Sequence, residues 1–361
     1  MPRLRDLGLT IGRYPTGPFN AITDVPGVWV GHTTLVYDQP RVARTGVTVI
    51  LPREGAIWHD NAFAGFHTLN GCGEMTGVHW LSESGMLSSP IALTNTAQVG
   101  TVHEALCAFG QEFGWTTSFA LPVVAETYDG WLNDLDAFHL TRSHVYKAIA
   151  AAAPGPVAEG NVGGGAGMIC YDFKGGIGTA SRWVETRLGE FVVGALVQAN
   201  HGDRQDFRLN GTPVGAELGG DLAPLPWPEP KRGGSIIVIL ATDAPLLPFQ
   251  CRRLAQRATV GFARTGGIGH NGSGDLFLAF ATANHLPITA RQLCHLSMLP
   301  NPQMDHLFVA AAEAVEEAIL NALTSAETMT GFQGRTVYSI PVDWLREKAG
   351  VANFSRIGNS G

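Results

Sequence analysis

Four prolines at alternating positions, Pro224, Pro226, Pro228 and Pro230, divide this 361-residue chain more firmly than any other signal in it. Proline fixes φ and has no amide hydrogen, so the stretch DLAPLPWPEP can neither wind into a helix nor pair as a regular strand. An exposed linker is expected there. It ends in Gly233 and Gly234 and runs straight into Ser235 and the apolar run IIVILAT, the texture of a strand buried on both faces.

On either side of this junction the chain is patterned as a mixed α+β protein. Residues 1 to 46 are rich in Gly and Pro and read as loops with short strands, followed by a β-branched strand over Val47–Leu51. Val102, Leu106, Phe109 and Phe113 recur at helical spacing, with Asn95 or Thr101 as cap candidates. A second helix is expected over Thr141–Ala153, and consecutive antiparallel strands from Asn161 onward, where apolar runs alternate with glycine clusters. Beyond Ser235 the pattern gives a helix over Leu246–Phe262, a strand over Leu276–Ala283, a helix over Phe308–Ser325 and a short strand near Thr336–Ile340. Strict βαβα alternation is missing, so two sheets sandwiched between helix layers are expected rather than a doubly wound sheet. The length allows one compact unit or two packed halves.

Composition narrows the partners. Charged residues are 15%, the formal net charge is −7 and no Lys/Arg block is present, which argues against nucleic acid. No apolar stretch reaches the ~20 residues of a membrane helix, so a cytoplasmic protein with no membrane partner is expected. The sparse surface charge points to a homo-oligomer. Cys72, Cys107, Cys170, Cys251 and Cys294 are odd in number and never spaced CxxC, and they read as reduced core thiols.

Several familiar motifs fail on inspection. Gly267, Gly269 and Gly272 spell GxGxxG, but a helix precedes them and a strand follows, the reverse of a dinucleotide fingerprint. His67, Cys72 and His79 match no metal-ligand spacing and read as turn and core residues. No metal and no cofactor is expected.

The chemistry that local sequence allows lies at the linker's end. Gly234 leaves its own carbonyl unhindered and can take backbone angles closed to other residues, so the Ser235 hydroxyl could attack that carbonyl and convert amide to ester. Hydrolysis would free an α-amine with a pKa of about 7.7 to 8.0, suited to serve as base for the hydroxyl beside it. Taken locally, an ordinary strand-opening serine fits as well.

The segments FNAITDVPGVWVGHTTL, PVVAETYDGWLND, NVGGGAGMICYDFKGGIGTASR, QANHGDRQDF, GGSIIVILATDAPL and RTGGIGHNGSGDLFLAF run in order from Phe19 to Phe280. Together they resemble the DmpA/BapA family of self-processing aminopeptidases. The resemblance implies a four-layer αββα sandwich of the N-terminal-nucleophile type, shared with ornithine acetyltransferases. It also implies one domain, 1–361, cut between Gly234 and Ser235 into chains 1–234 and 235–361. The implied activity is release of N-terminal L-, D- or β-amino acids from short peptides, amides or esters.

Carried onto this chain, the family nucleophile is Ser235, and Asn200 in QANHG is the amide that helps bind the oxyanion. Tyr128 in ETYDG is the active-site tyrosine. Glu126 is the carboxylate for the substrate ammonium, with Asp129 as its nearest rival. Ser273 and Asp275 in NGSGD are the pair beside the nucleophile, although some relatives carry Glu at the second position and local sequence also suits a turn. Gly164, Gly165 and Gly167 are expected to allow close backbone approach. Two other readings stand beside this one: a threonine-dependent ornithine acetyltransferase, which Ser235 argues against, and an uncleaved binding or assembly protein of the same fold.

Overall fold

The computed structural model describes residues 1–114, 119–218, 222–228 and 234–348. The linker residues Pro230 and Gly233 lie outside them. The strands in chain order are β1 (Trp29–Tyr37), β2 (Ala43–Leu51), β3 (Asp60–Gly71), β4 (Met86–Leu87), β5 (Ile91–Asn95), β6 (Val123–Thr127) and β7 (Ile169–Cys170). They continue as β8 (Phe173–Lys174), β9 (Gly176–Thr186), β10 (Gly189–Asn200), β11 (Gly234–Thr242), β12 (Ser273–Pro287), β13 (Met329–Thr330) and β14 (Thr336–Val337). The α-helices are α1 (Val78–Ser84), α2 (Val99–Glu112), α3 (Arg142–Ala150), α4 (Pro248–Ala255), α5 (Ala258–Arg264) and α6 (Met304–Thr324).

One sheet has the order β1-β2-β5-β6 and the other β4-β3-β12-β11-β10-β9. Side-chain alternation along the central strands shows why they stack. On β11, Ile237, Ile239 and Ala241 enter the core between the sheets, where they join Ile50, Leu93 and Val123. Ile236, Val238 and Leu240 point the other way, into the core shared with Leu254, Phe262 and Val315 of α4, α5 and α6. Helices α2 and α3 cover the far side of the smaller sheet through Leu106, Phe109, Val145 and Ile149. The layers are therefore helix, sheet, sheet, helix. A strand with both faces buried must be apolar at every position, which is the reason for the unbroken IIVILA run.

Helices sit on the sheets at glycine seats. A Cβ on Gly31 would lie 2.1 Å from the Ala148 carbonyl oxygen of α3, one on Gly65 2.1 Å from the Arg252 nitrogen of α4, and one on Gly178 2.0 Å from the Ala318 oxygen of α6. Helix α6 is also tied down by charge. The fully buried Arg182 of β9 donates to Glu317 at 2.7 Å and Glu313 at 3.3 Å, and Arg5 donates to Glu317 at 2.7 Å, which fastens the N-terminal segment to the same helix.

The structure departs from the sequence expectations at four places. β1 is a full strand rather than a short one, and β2 begins at Ala43. The helix expected over Leu246–Phe262 is two, α4 and α5, the first opening at Pro248, where a missing N–H costs nothing. β12 starts at Ser273, so Ser273 and Asp275 belong to a strand and not to a turn. Of the cysteines, Cys170 and Cys251 are buried, but Cys72 and Cys294 are exposed. Asn95 does cap, its side chain accepting from the Gln98 amide at 3.0 Å just ahead of α2. Among the described residues no helix is long and apolar enough to cross a membrane.

The seat at Gly178 yields a direct test. Gly178→Ala drives a methyl group into the α6 backbone and is expected to cost about 1–3 kcal/mol of stability, read as a lower denaturant midpoint with an unchanged slope.

Candidate active site

Strand pairing builds the site. β10 runs antiparallel to β11 in a register that sets Asn200 opposite Ser235, and β12 runs parallel to β11 with Ser273 opposite Gly234 and Asp275 opposite Ile236. The residue before Ser235 has to be glycine on two counts. Gly234 has φ +132°, and a Cβ there would stand 2.4 Å from the Asn200 carbonyl oxygen.

Ser235 and Gly234 open into a cavity of about 540 Å³ whose lining includes Glu126, Tyr128 and Asn200. Asn200 is held from two sides. Its Oδ1 accepts the Ile169 amide hydrogen at 2.8 Å, which fixes the orientation of the side chain, and its Nδ2 donates to the Tyr128 carbonyl oxygen at 3.1 Å. An amide nitrogen carries two hydrogens, so one N–H remains for a ligand.

The loop behind Asn200 is packed against the strands. A Cβ at Gly164 would lie 2.1 Å from Gln198 Oε1, at Gly165 2.4 Å from the Ile177 nitrogen, and at Gly167 2.3 Å from the Arg44 oxygen. Buried Lys174 donates to the carbonyls of Gly165, Met168 and Gly175 at 3.3, 3.0 and 2.8 Å. Burial pushes its ammonium down to about 7, against the pull of Asp129.

Glu126 lines the cavity beside Glu74. Its carboxylate accepts the Glu74 amide hydrogen at 3.0 Å and a short hydrogen bond from the Thr96 hydroxyl. Burial raises its pKa, the two hydrogen bonds oppose the rise, and the Glu74 carboxylate adds to it. A cation placed here would relieve that crowding. Asp129, the rival, is completely buried and is not part of the lining; burial lifts it to about 7. The Tyr128 ring folds over Gly130, where a Cβ would meet its hydroxyl at 2.5 Å.

Ser273 and Asp275 stand behind the wall, which Gly272 completes. The Ser273 hydroxyl donates to Asp275 Oδ1 at 2.6 Å, while Oδ2 is buried with no hydrogen bond to any described residue. Burial lifts Asp275 to about 6, partly offset by Ser273 and by His270.

The sequence reading missed Glu74, Thr96, Trp131, Ile169 and Trp227, all of which line the cavity, and it placed Cys72 in a turn or core although Cys72 lies on the rim. Among the described residues, one trio could offer a metal three ligands: Asp203, Asp206 and His270. The His270 ring stands 3.7 and 3.9 Å from the two carboxylates, the spacing of an ion-paired histidine when protonated.

A serine at the head of a central strand, an asparagine across from it and an αββα layering define a serine hydrolase of the N-terminal-nucleophile fold. A family model described as peptidase family S58 matches residues 20–337, and the chain belongs to that family. β-Peptidyl aminopeptidase BapA of Sphingosinicella microcystinivorans is 46% identical, over 96% of this chain and 91% of its own. A β-aminopeptidase structure from Burkholderia sp. is 50% identical with a TM-score of 0.90, covering 96% of this chain and 98% of that one. The L-aminopeptidase D-Ala-esterase/amidase of Ochrobactrum anthropi, described as a prototype for the serine aminopeptidases and a variant of the Ntn hydrolase fold, is 44% identical with a TM-score of 0.91 over 99% of both chains. The chain is an enzyme of the aminopeptidase and amidase class.

Asp275 can be checked through stability. Its folded pKa of about 6 lies above the ordinary 3.8, so the native state holds a proton the unfolded chain has lost, and stability falls as pH rises between those values. Asp275→Asn should remove about one proton from the slope of unfolding free energy against pH over that window; an unchanged slope would place the proton elsewhere.

Proposed function

We propose that the chain cuts itself between Gly234 and Ser235 and then releases N-terminal β-amino acids from short peptides and amides. The observation that carries this is the placement of Ser235 in the cavity, directly across from Asn200 and behind a glycine that no other residue can replace. The names of the 46% and 50% identical relatives support the β-residue preference, and the Ochrobactrum enzyme supports turnover of amides and esters as well.

In the first step the Ser235 Oγ attacks the Gly234 carbonyl carbon, its proton passes to the departing nitrogen, and an ester replaces the amide. Water then cleaves the ester, leaving a Gly234 carboxylate and a free Ser235 amine. In turnover that amine takes the hydroxyl proton as Oγ attacks the substrate carbonyl, and the proton goes on to the leaving amine. The free N–H of Asn200, with the Tyr128 hydroxyl, stabilises the oxyanion, a role in which one donor is typically worth about 10²–10³ in kcat. Water then hydrolyses the acyl-enzyme. Ser273 and Asp275 hold the amine and relay protons, and Glu126 receives the substrate ammonium. Homo-oligomers of the cleaved pair are part of the proposal, supported by exposed apolar side chains such as Phe138, Ile268 and Leu293. So is a cytoplasmic location, in keeping with five unpaired cysteines.

Denaturing mass spectrometry should find fragments 1–234 and 235–361 in the wild type and an intact, inactive chain in Ser235→Ala; cleavage and p-nitroaniline release that persist in the variant would overturn the proposal. Glu126→Gln should still self-cleave yet lose about tenfold or more in kcat/KM, mainly through KM, as expected for a lost charge-assisted contact of about 1.5–3 kcal/mol. Unchanged KM would take the ammonium away from Glu126.

A further inference from the structure

The linker ahead of the scissile bond is anchored to the body of the protein. The Ala223 carbonyl accepts a short hydrogen bond from Arg204 Nη1, and Trp227 Nε1 donates to Asp172 Oδ1 at 3.0 Å. Arg204 and Asp172 are themselves joined, the Arg204 amide donating to Asp172 Oδ2 at 3.1 Å and Nη2 to the Asp172 carbonyl at 3.0 Å. The Arg204 guanidinium lies 4.2 Å over the Phe173 ring. Asp172 takes a left-handed φ of 60° in making this turn. Every one of these residues precedes Gly234, so a cut at Gly234–Ser235 breaks none of the contacts.

Trp227 also reaches the site. Its ring lines the cavity with Ser235 and packs edge-to-face on Trp131, centroids 5.4 Å apart at 73°. Trp131 is backed in turn by the Arg335 guanidinium at 4.0 Å, a residue beyond the cut. The indole has a single N–H, and Asp172 takes it, so what Trp227 offers the cavity is apolar ring. Pro226 and Pro228 on either side restrict the backbone and lower the entropy lost in holding the ring there.

We propose that the linker stays docked after cleavage as a wall of the working pocket, and that Trp227 selects substrates carrying an apolar or aromatic group beside the scissile bond. Asp172 is a positioning residue that holds Trp227 and touches no substrate. The selectivity rests on the function proposed above; the docking does not.

Two matched pairs of substrates test the selectivity. One pair shares a leaving group and varies the N-terminal residue from small to aromatic; the other shares the residue and exchanges a plain amide for a p-nitroanilide. Trp227→Ala should self-cleave fully and lose about tenfold in kcat/KM, through KM, on the aromatic member of at least one pair, with less than about twofold loss on the small member. The pair that responds identifies the side of the bond. Asp172→Ala should reproduce the effect and Trp227→Phe should recover most of it. Equal losses on all four substrates, or none, would overturn the selectivity, whereas a wild type inactive on all four would overturn the function instead. Hydrogen exchange of the purified protein tests the docking without turnover. The Trp227 indole N–H, assigned by its loss in Trp227→Phe, donates to Asp172 and should exchange slowly in the cleaved wild type and freely in Asp172→Ala, and free exchange of that indole in the wild type would refute the wall.

Discussion

Everything at the site depends on one register, the antiparallel pairing that puts Asn200 at the end of β10 against Ser235 at the head of β11. Backbone hydrogen bonds fix it, and a one-residue slip would turn every side chain of β11 to the opposite face, exchanging the two cores it serves. Catalytic placement and core packing are therefore enforced by the same ladder. The parallel pairing with β12 then brings Ser273 and Asp275 alongside. Three strands thus deliver Ser235, Asn200 and the Ser273–Asp275 pair, and the Tyr128 carbonyl just beyond β6 steadies the Asn200 amide.

Burial at this junction shapes the electrostatics. Glu126 and Asp275 both sit where desolvation raises their pKa, but their surroundings differ. Glu126 faces an open cavity with a second carboxylate near it, so a cation is the partner it lacks. Asp275 faces a neighbouring hydroxyl and keeps one oxygen unsatisfied, which suits a proton instead. The apolar side of the cavity, Trp131 with Trp227, gives the space a polar end and a greasy one.

Much of this was legible in the residues. The unbroken apolar run after Ser235 announced a strand buried on both faces, and the mixed patterning announced sheets between helix layers. Ser235, Asn200, Tyr128 and Glu126 do converge on one cavity. The rest was hidden for physical reasons. Ser273 and Asp275 sit in a Gly-Ser-Gly-Asp string whose local preference is a turn; only pairing with β11 and β3 makes it a strand. Gln256 and Arg257 break an otherwise helical pattern because α4 and α5 pack on different neighbours. Trp227 had a signal that went unread: a tryptophan set between prolines in an exposed segment needs something to bury its ring.

The order β4-β3-β12-β11-β10-β9 has a mechanical corollary. Both long strands that follow Ser235 lie in the middle of the sheet, hemmed by β3 on one side and β10 on the other, and α6 is strapped to the N-terminal segment by Arg5 and to β9 by Arg182. Severing the chain at the first peptide bond of β11 would thus divide the polypeptide without dividing the body. The halves would be interlocked like tongue and groove, neither able to leave without stripping two ladders and a buried helix. Such a molecule would melt as one piece, and its small chain made alone would have exposed edges where the large one should be.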